Sequence, residues 1–250
     1  MADTKKVIVK IKRQENPSVR PHWEQFELTW RPHMNVIICL RDIAERPTTR
    51  DGKPTTPITY DSNCLEEICG SCAMVINGRV RMACSALVDH FDQPIKIEPM
   101  SKFPVIRDLA VDRSVMFQNL MRMKAWIPID GTYDLGEGPK MAPEMQEKAY
   151  PLSRCITCGA CLEVCPQVNA NSDFVGAAII SQVRLFNMHP TGAMHAHERL
   201  DAVSGIGGVQ DCANAQNCVK ACPKAIPLTE SIAEVNRHAI RQNLVGWLLG

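Results

Sequence analysis

Residues 155–166 read Cys155-Ile-Thr-Cys158-Gly-Ala-Cys161-Leu-Glu-Val-Cys165-Pro166, and this stretch decides how the second half of the chain folds. Its C-x2-C-x2-C-x3-C-P spacing is typical of runs that ligate iron–sulfur clusters. Three thiolates spaced along a glycine-containing turn converge on one cubic cluster. The fourth lies beyond that turn and points elsewhere, so we expect it to serve a second cluster.

A second run repeats the first with one cysteine replaced. It reads Cys212-Ala-Asn-Ala215-Gln-Asn-Cys218-Val-Lys-Ala-Cys222-Pro223, and Ala215 takes the place that Cys158 has in the first run. Crosswise ligation between the runs then predicts two sites. A four-thiolate site, suited to a 4Fe–4S cluster, would comprise Cys155, Cys158, Cys161 and Cys222. A three-thiolate site, with alanine where a fourth iron would be held, suits a 3Fe–4S cluster and would comprise Cys165, Cys212 and Cys218.

A third cysteine group lies nearer the amino terminus. It comprises Cys64, Cys69, Cys72 and Cys84, whose C-x4-C-x2-C-x11-C spacing matches the plant-type 2Fe–2S pattern. Asn77-Gly78 predicts a tight hairpin before the last of them, because a type I′ turn needs positive φ at both central residues. The hairpin would return Cys84 to the loop that carries the other three.

Two other uses of cysteine are disfavoured. Structural zinc prefers closed four-coordinate sites and would explain isolated C-x2-C pairs. It does not explain three cysteines in strict C-x2-C-x2-C succession, nor a C-P ending that occurs twice. A disulfide framework is less favoured still, because residues 1–13 lack the apolar core of a signal peptide. The remaining cysteine, Cys39, falls on the apolar face of a predicted helix and is interpreted as a buried core residue.

Composition excludes other classes of function. Lys and Arg number 28 against 27 Asp and Glu, and aromatic residues make up 5% of the chain. The chain therefore has no large excess of positive charge and few aromatic side chains on which bases could stack, and we expect no nucleic-acid partner. No run approaches the eighteen apolar residues of a bilayer-spanning helix, so the chain by itself is expected to be soluble.

The remaining patterns predict a β-rich domain at residues 1–105 and an α-rich domain at residues 106–250. The first would hold a hairpin at residues 5–30, a helix capped by Asn35, a loop at residues 46–57 and a strand at residues 95–97. The second would hold a helix bearing Leu109, Met116, Leu120 and Met123, a surface loop at residues 128–151, helices near 175–186 and 197–203, and a C-terminal helix from about residue 232. The predicted fold class is α+β, with an N-terminal plant-type ferredoxin-like (β-grasp) domain followed by an all-α bacterial-ferredoxin-like domain.

These features favour electron transfer over bond-making chemistry. The chain offers neither a nucleophile–base pair nor a nucleotide-binding glycine loop, so no catalytic residue is predicted. Each cluster moves one electron, and the protein sets its potential through ligands, hydrogen bonds to sulfur and burial. Three cluster types in a fixed order indicate a conduit inside a larger complex.

The residues also resemble a known family. Cys69-Gly-Ser-Cys72-Ala-Met, Ile76-Asn-Gly78 and the order of cluster types look like the iron–sulfur subunit of succinate dehydrogenase and fumarate reductase, and the stretch from Pro104 to Asp112 is similar too. The resemblance implies a flavoprotein partner with FAD, where succinate is oxidised to fumarate, docked near the 2Fe–2S domain. It also implies a membrane-anchor cytochrome b with haem and quinone near the 3Fe–4S cluster.

That resemblance implies a peripheral location on the cytoplasmic face of the inner membrane, held through the partner subunits. A fumarate reductase subunit working in the opposite direction is the first alternative. A zinc-stabilised interaction module is the second.

One departure from the family pattern concerns quinone. Members that bind quinone beside the 3Fe–4S cluster carry aromatic residues after the first C-P and a histidine after the first cysteine of the second run. Here those places hold Gln167 and Ala213. The sequence therefore predicts that electrons pass to haem in the anchor, as in the di-haem, menaquinone-linked branch.

Overall fold

A mixed five-stranded sheet forms the body of the N-terminal part of the protein. The computed structural model describes residues 5–128 and 139–249. The strands are β1 (Lys6–Arg13), β2 (His22–Thr29), β3 (Ala73–Ile76), β4 (Arg79–Met82) and β5 (Ile95–Glu98), in the order β2-β1-β5-β3-β4. β1 pairs parallel with β5, and the other pairs are antiparallel. The alternating pattern of β1 buries Val7, Val9 and Ile11, as its period of two predicts.

Helix α1 (Val36–Glu45) begins where the sequence predicts it. The Asn35 side chain accepts a hydrogen bond from Ile38 N at 2.9 Å, which satisfies one of the unpaired donors of the first turn. The same side chain donates to Cys84 O at 2.8 Å, so the cap also holds the last cysteine of the loop group. Cys39 lies on the buried face of α1, and burial raises its pKa to about 12. Its predicted place in the core is confirmed.

The Asn77-Gly78 hairpin is also confirmed. The two residues have φ of 47° and 75°, as a type I′ turn requires. Ala73 pairs with Met82 across β3 and β4, and Ala83 N donates to Cys72 O at 3.1 Å. Cys72 and Cys84 therefore lie side by side at the end of the hairpin away from the turn.

The sequence-based prediction of a helix that includes Leu109 is wrong. Strands β6 (Val105–Arg107) and β7 (Ala110–Val111) form a small antiparallel sheet here, and buried Leu109 donates its N–H to Thr59 O at 3.0 Å. The chain divides into compact units between Arg113 and Ser114, later than the predicted boundary at residue 105. Strands this short show no periodicity, so the sequence does not reveal them.

Every regular element of the C-terminal unit is a helix within the residues that the structure describes. Its helices are α2 (Ser114–Arg122), α3 (Pro143–Ser153), α4 (Ala160–Glu163), α5 (Ala177–Met188), α6 (Pro190–Ala193), α7 (Ala196–Ser204), α8 (Asn217–Ala221) and α9 (Leu228–Leu249). Helices α5 and α9 contact each other through buried residues, among them Ser181 and Ser231 with hydroxyls 3.4 Å apart. Within the described ranges, none of the helices is both long and apolar enough to cross a bilayer.

Helix α3 corrects the predicted surface loop at residues 128–151. Pro143 occupies the first turn of the helix, where its missing N–H costs nothing, so this proline begins a helix instead of preventing one. Residues 129–138 of the predicted loop lie outside the described residues.

Candidate metal centres

The loop at residues 64–72 turns its peptide N–H groups toward its own sulfur atoms. Leu65, Glu67 and Gly70 have φ of 62°, 58° and 76°, which reverses the chain repeatedly over a few residues. Cys64 Sγ accepts hydrogen bonds from Ile68 N and Cys69 N, each at 3.2 Å. The loop therefore forms a cradle of donors, which stabilises negatively charged sulfur.

The structure brings all four cysteines of this group together. Cys72 Sγ and Cys84 Sγ lie 3.4 Å apart, and Cys64 N donates to Cys69 Sγ at 3.5 Å. Glu67 N links the two pairs by donating to Cys84 Sγ at 3.3 Å. Four thiols around one loop match the ligand number of a 2Fe–2S cluster.

The two pairs differ in their electrostatics. Hydrogen bonds from the Cys64 backbone and from the Ser71 hydroxyl and backbone lower the pKa of Cys69 to about 6. Burial, together with a side-chain hydrogen bond between Cys84 and Cys72, raises the pKa of Cys84 to about 11. One side of the site is thus a solvated thiolate held by amides, and the other is a buried pair.

A first cavity in the helical unit is lined by one complete predicted set. Cys155, Cys158, Cys161 and Cys222 line this cavity, which has a volume of about 20 Å³ and is partly open to solvent. Thr157 and Gly159 have φ of 50° and 82°, and the turn that they make precedes α4. Most of the other lining side chains are apolar, including Met116, Ala178, Ile226 and Leu228.

Burial dominates the electrostatics of this cavity. It raises the pKa of Cys161 well above the usual value of a thiol, and it also raises that of Cys155. Thiols in such a place ionise only when cations bind to them, because burial penalises the charged form. An all-sulfur donor set of four cysteines with this spacing fits a 4Fe–4S cluster.

A second cavity of about 20 Å³ is lined by the other predicted set, Cys165, Cys212 and Cys218. Ala215 lines the same cavity, as do Gln167 and Ala213. Burial raises the pKa of Cys218. Asn217 Nδ2 donates to Val164 O at 3.2 Å and so joins the two cysteine runs. Three thiols and one methyl group here fit a cluster with one iron fewer than a cube.

Sequence reasoning missed two residues of the loop site. Ser71 donates to Cys69 Sγ, and Arg113 donates to backbone carbonyls of the same loop. Ser71 lies inside the cysteine motif, so attention to hydroxyls beside ligands would have found it. Arg113 reaches the loop only through the tertiary fold, and no spacing rule indicates it.

Comparisons with known proteins agree with this division of sites. Residues 8–118 match the model of a 2Fe-2S iron-sulfur cluster binding domain, and residues 151–226 match that of a 4Fe-4S dicluster domain. The chain is 56% identical over 237 residues to the succinate dehydrogenase iron-sulfur subunit of Bacillus subtilis. The match covers 95% of this chain and 94% of the relative. It is 32% identical over 227 residues to the fumarate reductase iron-sulfur subunit of Wolinella succinogenes, covering 90% and 92%.

A solved structure shares the fold. One chain in the structure titled Mycobacterium smegmatis Sdh1 complex in the apo form superposes with a TM-score of 0.78 at 22% identity, covering 96% of this chain and 97% of the other. The resemblance read from the motifs is confirmed by the relatives, and the electron-transfer role agrees with the cysteine sites described above. The chain belongs to the family of iron–sulfur subunits of succinate dehydrogenase and fumarate reductase.

Proposed function

We propose that this chain is the iron–sulfur subunit of a succinate dehydrogenase that passes electrons through three clusters of different type. A 2Fe–2S cluster is held by Cys64, Cys69, Cys72 and Cys84. A 4Fe–4S cluster is held by Cys155, Cys158, Cys161 and Cys222. A 3Fe–4S cluster is held by Cys165, Cys212 and Cys218.

One observation carries this proposal. The two cavities of the helical unit are each lined by one of the crosswise cysteine sets, and Ala215 lines the one that has three. The arrangement supports one complete cubic cluster and one that lacks an iron.

The bound clusters supply reversible one-electron chemistry, and the protein supplies their surroundings. Amide donors of the 64–72 loop stabilise charge on the sulfurs of the first site. Apolar neighbours such as Met116 and Leu228 exclude water from the second. Differences of this kind give clusters different potentials along one path.

The strand order β2-β1-β5-β3-β4, with β1 parallel to β5, supports a β-grasp, plant-type ferredoxin-like N-terminal domain. The two crosswise cysteine runs between short helices support a bacterial-ferredoxin-like C-terminal domain. The domains exchange electrons with different partners.

The partners follow from the family. The flavoprotein, with FAD and the dicarboxylate site, docks at the loop site, where Leu65 and Ile68 are 50% and 58% exposed beside the cysteines. A membrane-anchor cytochrome b docks at the 3Fe–4S site. The assembly is peripheral on the cytoplasmic face of the inner membrane and is held there by the anchor.

Gln167 and Ala213 bear on how electrons leave. Both line the second cavity, at the places where quinone-binding relatives carry an aromatic residue and a histidine. Electrons therefore pass to haem in the anchor, and quinone is reduced there. Photoaffinity labelling of the whole complex with an azidoquinone tests this, because a label on Gln167 or its neighbours would contradict it.

The decisive experiment is EPR of the anaerobically purified protein, as isolated and after dithionite reduction. We expect a near-isotropic 3Fe–4S signal in the oxidised sample. On reduction, a rhombic 2Fe–2S signal and broad 4Fe–4S features replace it. An oxidised sample without a signal, followed by two cubane signals on reduction, would contradict the role of Ala215.

A pair of variants sharpens that test. Ala215→Cys supplies a thiol at the repeat position, so we expect the oxidised 3Fe–4S signal to disappear and a second 4Fe–4S signal to appear on reduction. Ala213→Cys adds a thiol to the same cavity away from the repeat position, and we expect it to leave the 3Fe–4S signal in place. Conversion by both variants would mean that position along the repeat is irrelevant.

The alternative function is that of a fumarate reductase subunit. The 32% identity to the Wolinella succinogenes protein supports this alternative. The direction depends on cluster potentials and on the quinone, so redox titration of the purified complex distinguishes the two. A brown colour that bleaches with acid would exclude a zinc-stabilised module.

A further inference from the structure

The outer side of the cysteine loop is held by one arginine. Arg113 Nη2 donates to Ser71 O at 2.7 Å and to Ala73 O at 3.4 Å. Arg113 Nη1 donates to Gly70 O at 3.3 Å. One guanidinium therefore spans the backbone between and just beyond two of the proposed ligands, Cys69 and Cys72.

The peptide group between Gly70 and Ser71 lies between this arginine and the Cys69 thiol. Its oxygen accepts from Arg113 Nη1, and its N–H is one of the groups that lower the pKa of Cys69. Hydrogen bonds in series polarise one another, so the charge of the guanidinium strengthens the donor that faces the sulfur. The contacts on the carbonyl side also fix the direction in which that N–H points.

The arginine is attached to the body of the first unit and not to the loop. It follows β7, and just before β7 the buried Asp108 carboxylate accepts from Thr59 N at 3.0 Å and from Gln14 N at 3.1 Å. Leu109 N adds a bond to Thr59 O at 3.0 Å. The loop is thus clamped from a fixed point.

We infer that Arg113 is a positioning residue of the 2Fe–2S site, which holds the carbonyls of Gly70, Ser71 and Ala73 and raises the reduction potential of that cluster. The inference rests on the proposed function. Reduction adds one electron and no proton to the site, so a nearby permanent cation stabilises the reduced form. Hydrogen bonds to sulfur act in the same direction, because they stabilise added negative charge.

The test is an EPR-monitored redox titration of the holoprotein in three variants. Arg113→Gln removes the positive charge and the guanidinium group that donates to three carbonyls. We expect a clear shift of the 2Fe–2S midpoint to more negative potential. Arg113→Lys keeps a charge but cannot reach three carbonyls at once, so its midpoint should lie between those of Arg113→Gln and the unmodified protein. Arg20→Gln removes the same charge from an exposed position between β1 and β2 and should leave the midpoint unchanged.

The other clusters provide an internal reference. Their midpoints should not move in any of the three variants. A 2Fe–2S midpoint in Arg113→Gln equal to that of the unmodified protein would overturn the inference. If Arg113→Gln loses the 2Fe–2S cluster but keeps the other two, the midpoint of Arg113→Lys is the test. A 2Fe–2S midpoint in Arg113→Lys equal to that of the unmodified protein then overturns the inference. A missing 2Fe–2S signal in the unmodified protein would instead overturn the proposed function.

Discussion

The loop site and the helical cavities prepare their thiols in opposite ways. In the loop, backbone N–H groups lower the pKa of Cys69 to about 6, so a thiolate exists there at neutral pH. In the first cavity, burial raises the pKa of Cys161 well above its ordinary value. The loop stabilises charge with the protein's own dipoles, whereas the cavity relies on the iron that it receives. The loop therefore presents a thiolate before iron binds, whereas the buried thiols of the cavity ionise only when iron binds.

The largest effect should come from removing a proposed ligand, Cys161, from the first cavity. Cys161→Ser places a poor iron ligand in a buried position, and we expect complete loss of the 4Fe–4S EPR signal. The 2Fe–2S signal should remain, since its ligands belong to the other unit. Loss of both signals together would show that the two units do not take up clusters independently.

The next effect concerns the scaffold behind the loop. Asp108 and Arg13 form a buried ion pair, with Oδ1 and Nε 2.9 Å apart. Asp108→Asn removes one of the two carboxylates that pair with Arg13, the other being that of Glu24, and it weakens the acceptor of buried hydrogen bonds. We expect the free energy of unfolding of the first unit to fall by about 1–3 kcal/mol. Chemical denaturation followed by far-UV circular dichroism measures it.

The matched control for that change is Asp42→Asn. Asp42 also pairs with an arginine, Arg31, but the Arg31 side chain is 55% exposed. A solvent-exposed pair contributes about 0–1 kcal/mol, so the control should unfold almost as the unmodified protein does. Equal losses in the two variants would contradict the importance of burial at Asp108.

A smaller effect separates the two kinds of thiol by pH. After anaerobic removal of iron by a chelator, Cys69 should react with iodoacetamide at pH 7. The pKa of Cys69 is lowered to about 6, so the thiolate becomes protonated as the pH falls below that value. The rate of alkylation should therefore fall about tenfold between pH 7 and pH 5. Cys161 should stay largely unmodified at pH 7, as peptide mass spectrometry would report. Comparable labelling of the two residues would contradict the contrast.

The smallest effect should come from Cys39. It is 1% exposed on the inner face of α1 and belongs to none of the three sites. Cys39→Ala should leave the iron and sulfide content unchanged and lower the free energy of unfolding by about 1 kcal/mol. Metal analysis and thermal denaturation check it, and a loss of iron would give Cys39 a role that its packing does not suggest.

Local chemistry made the sites and several elements predictable. The Asn35 cap, the Asn77-Gly78 turn and the strands around it follow from backbone preferences that act over a few residues. The cysteine sets follow from spacing, and both cavities contain the sets that spacing indicated. These features need no knowledge of the tertiary fold.

What could not be predicted depends on contacts between distant segments. Leu109 looks like part of a helical stripe until its N–H is seen to bond Thr59 O. Pro143 looks like a loop residue unless the helix that follows it is recognised. Arg113 carries no signal at all, because its importance lies in carbonyls of a loop far earlier in the chain.

The crossed lining of the two helical cavities has a consequence for biosynthesis. On a ribosome, the cysteines from Cys64 to Cys84 emerge together, so the loop site is complete early. The first cavity takes three cysteines from one run but waits for Cys222, which is made last of all the ligands. We expect the two clusters of the helical unit to be inserted only after both cysteine runs have been translated. A chain truncated before Cys222 should then carry the 2Fe–2S cluster alone.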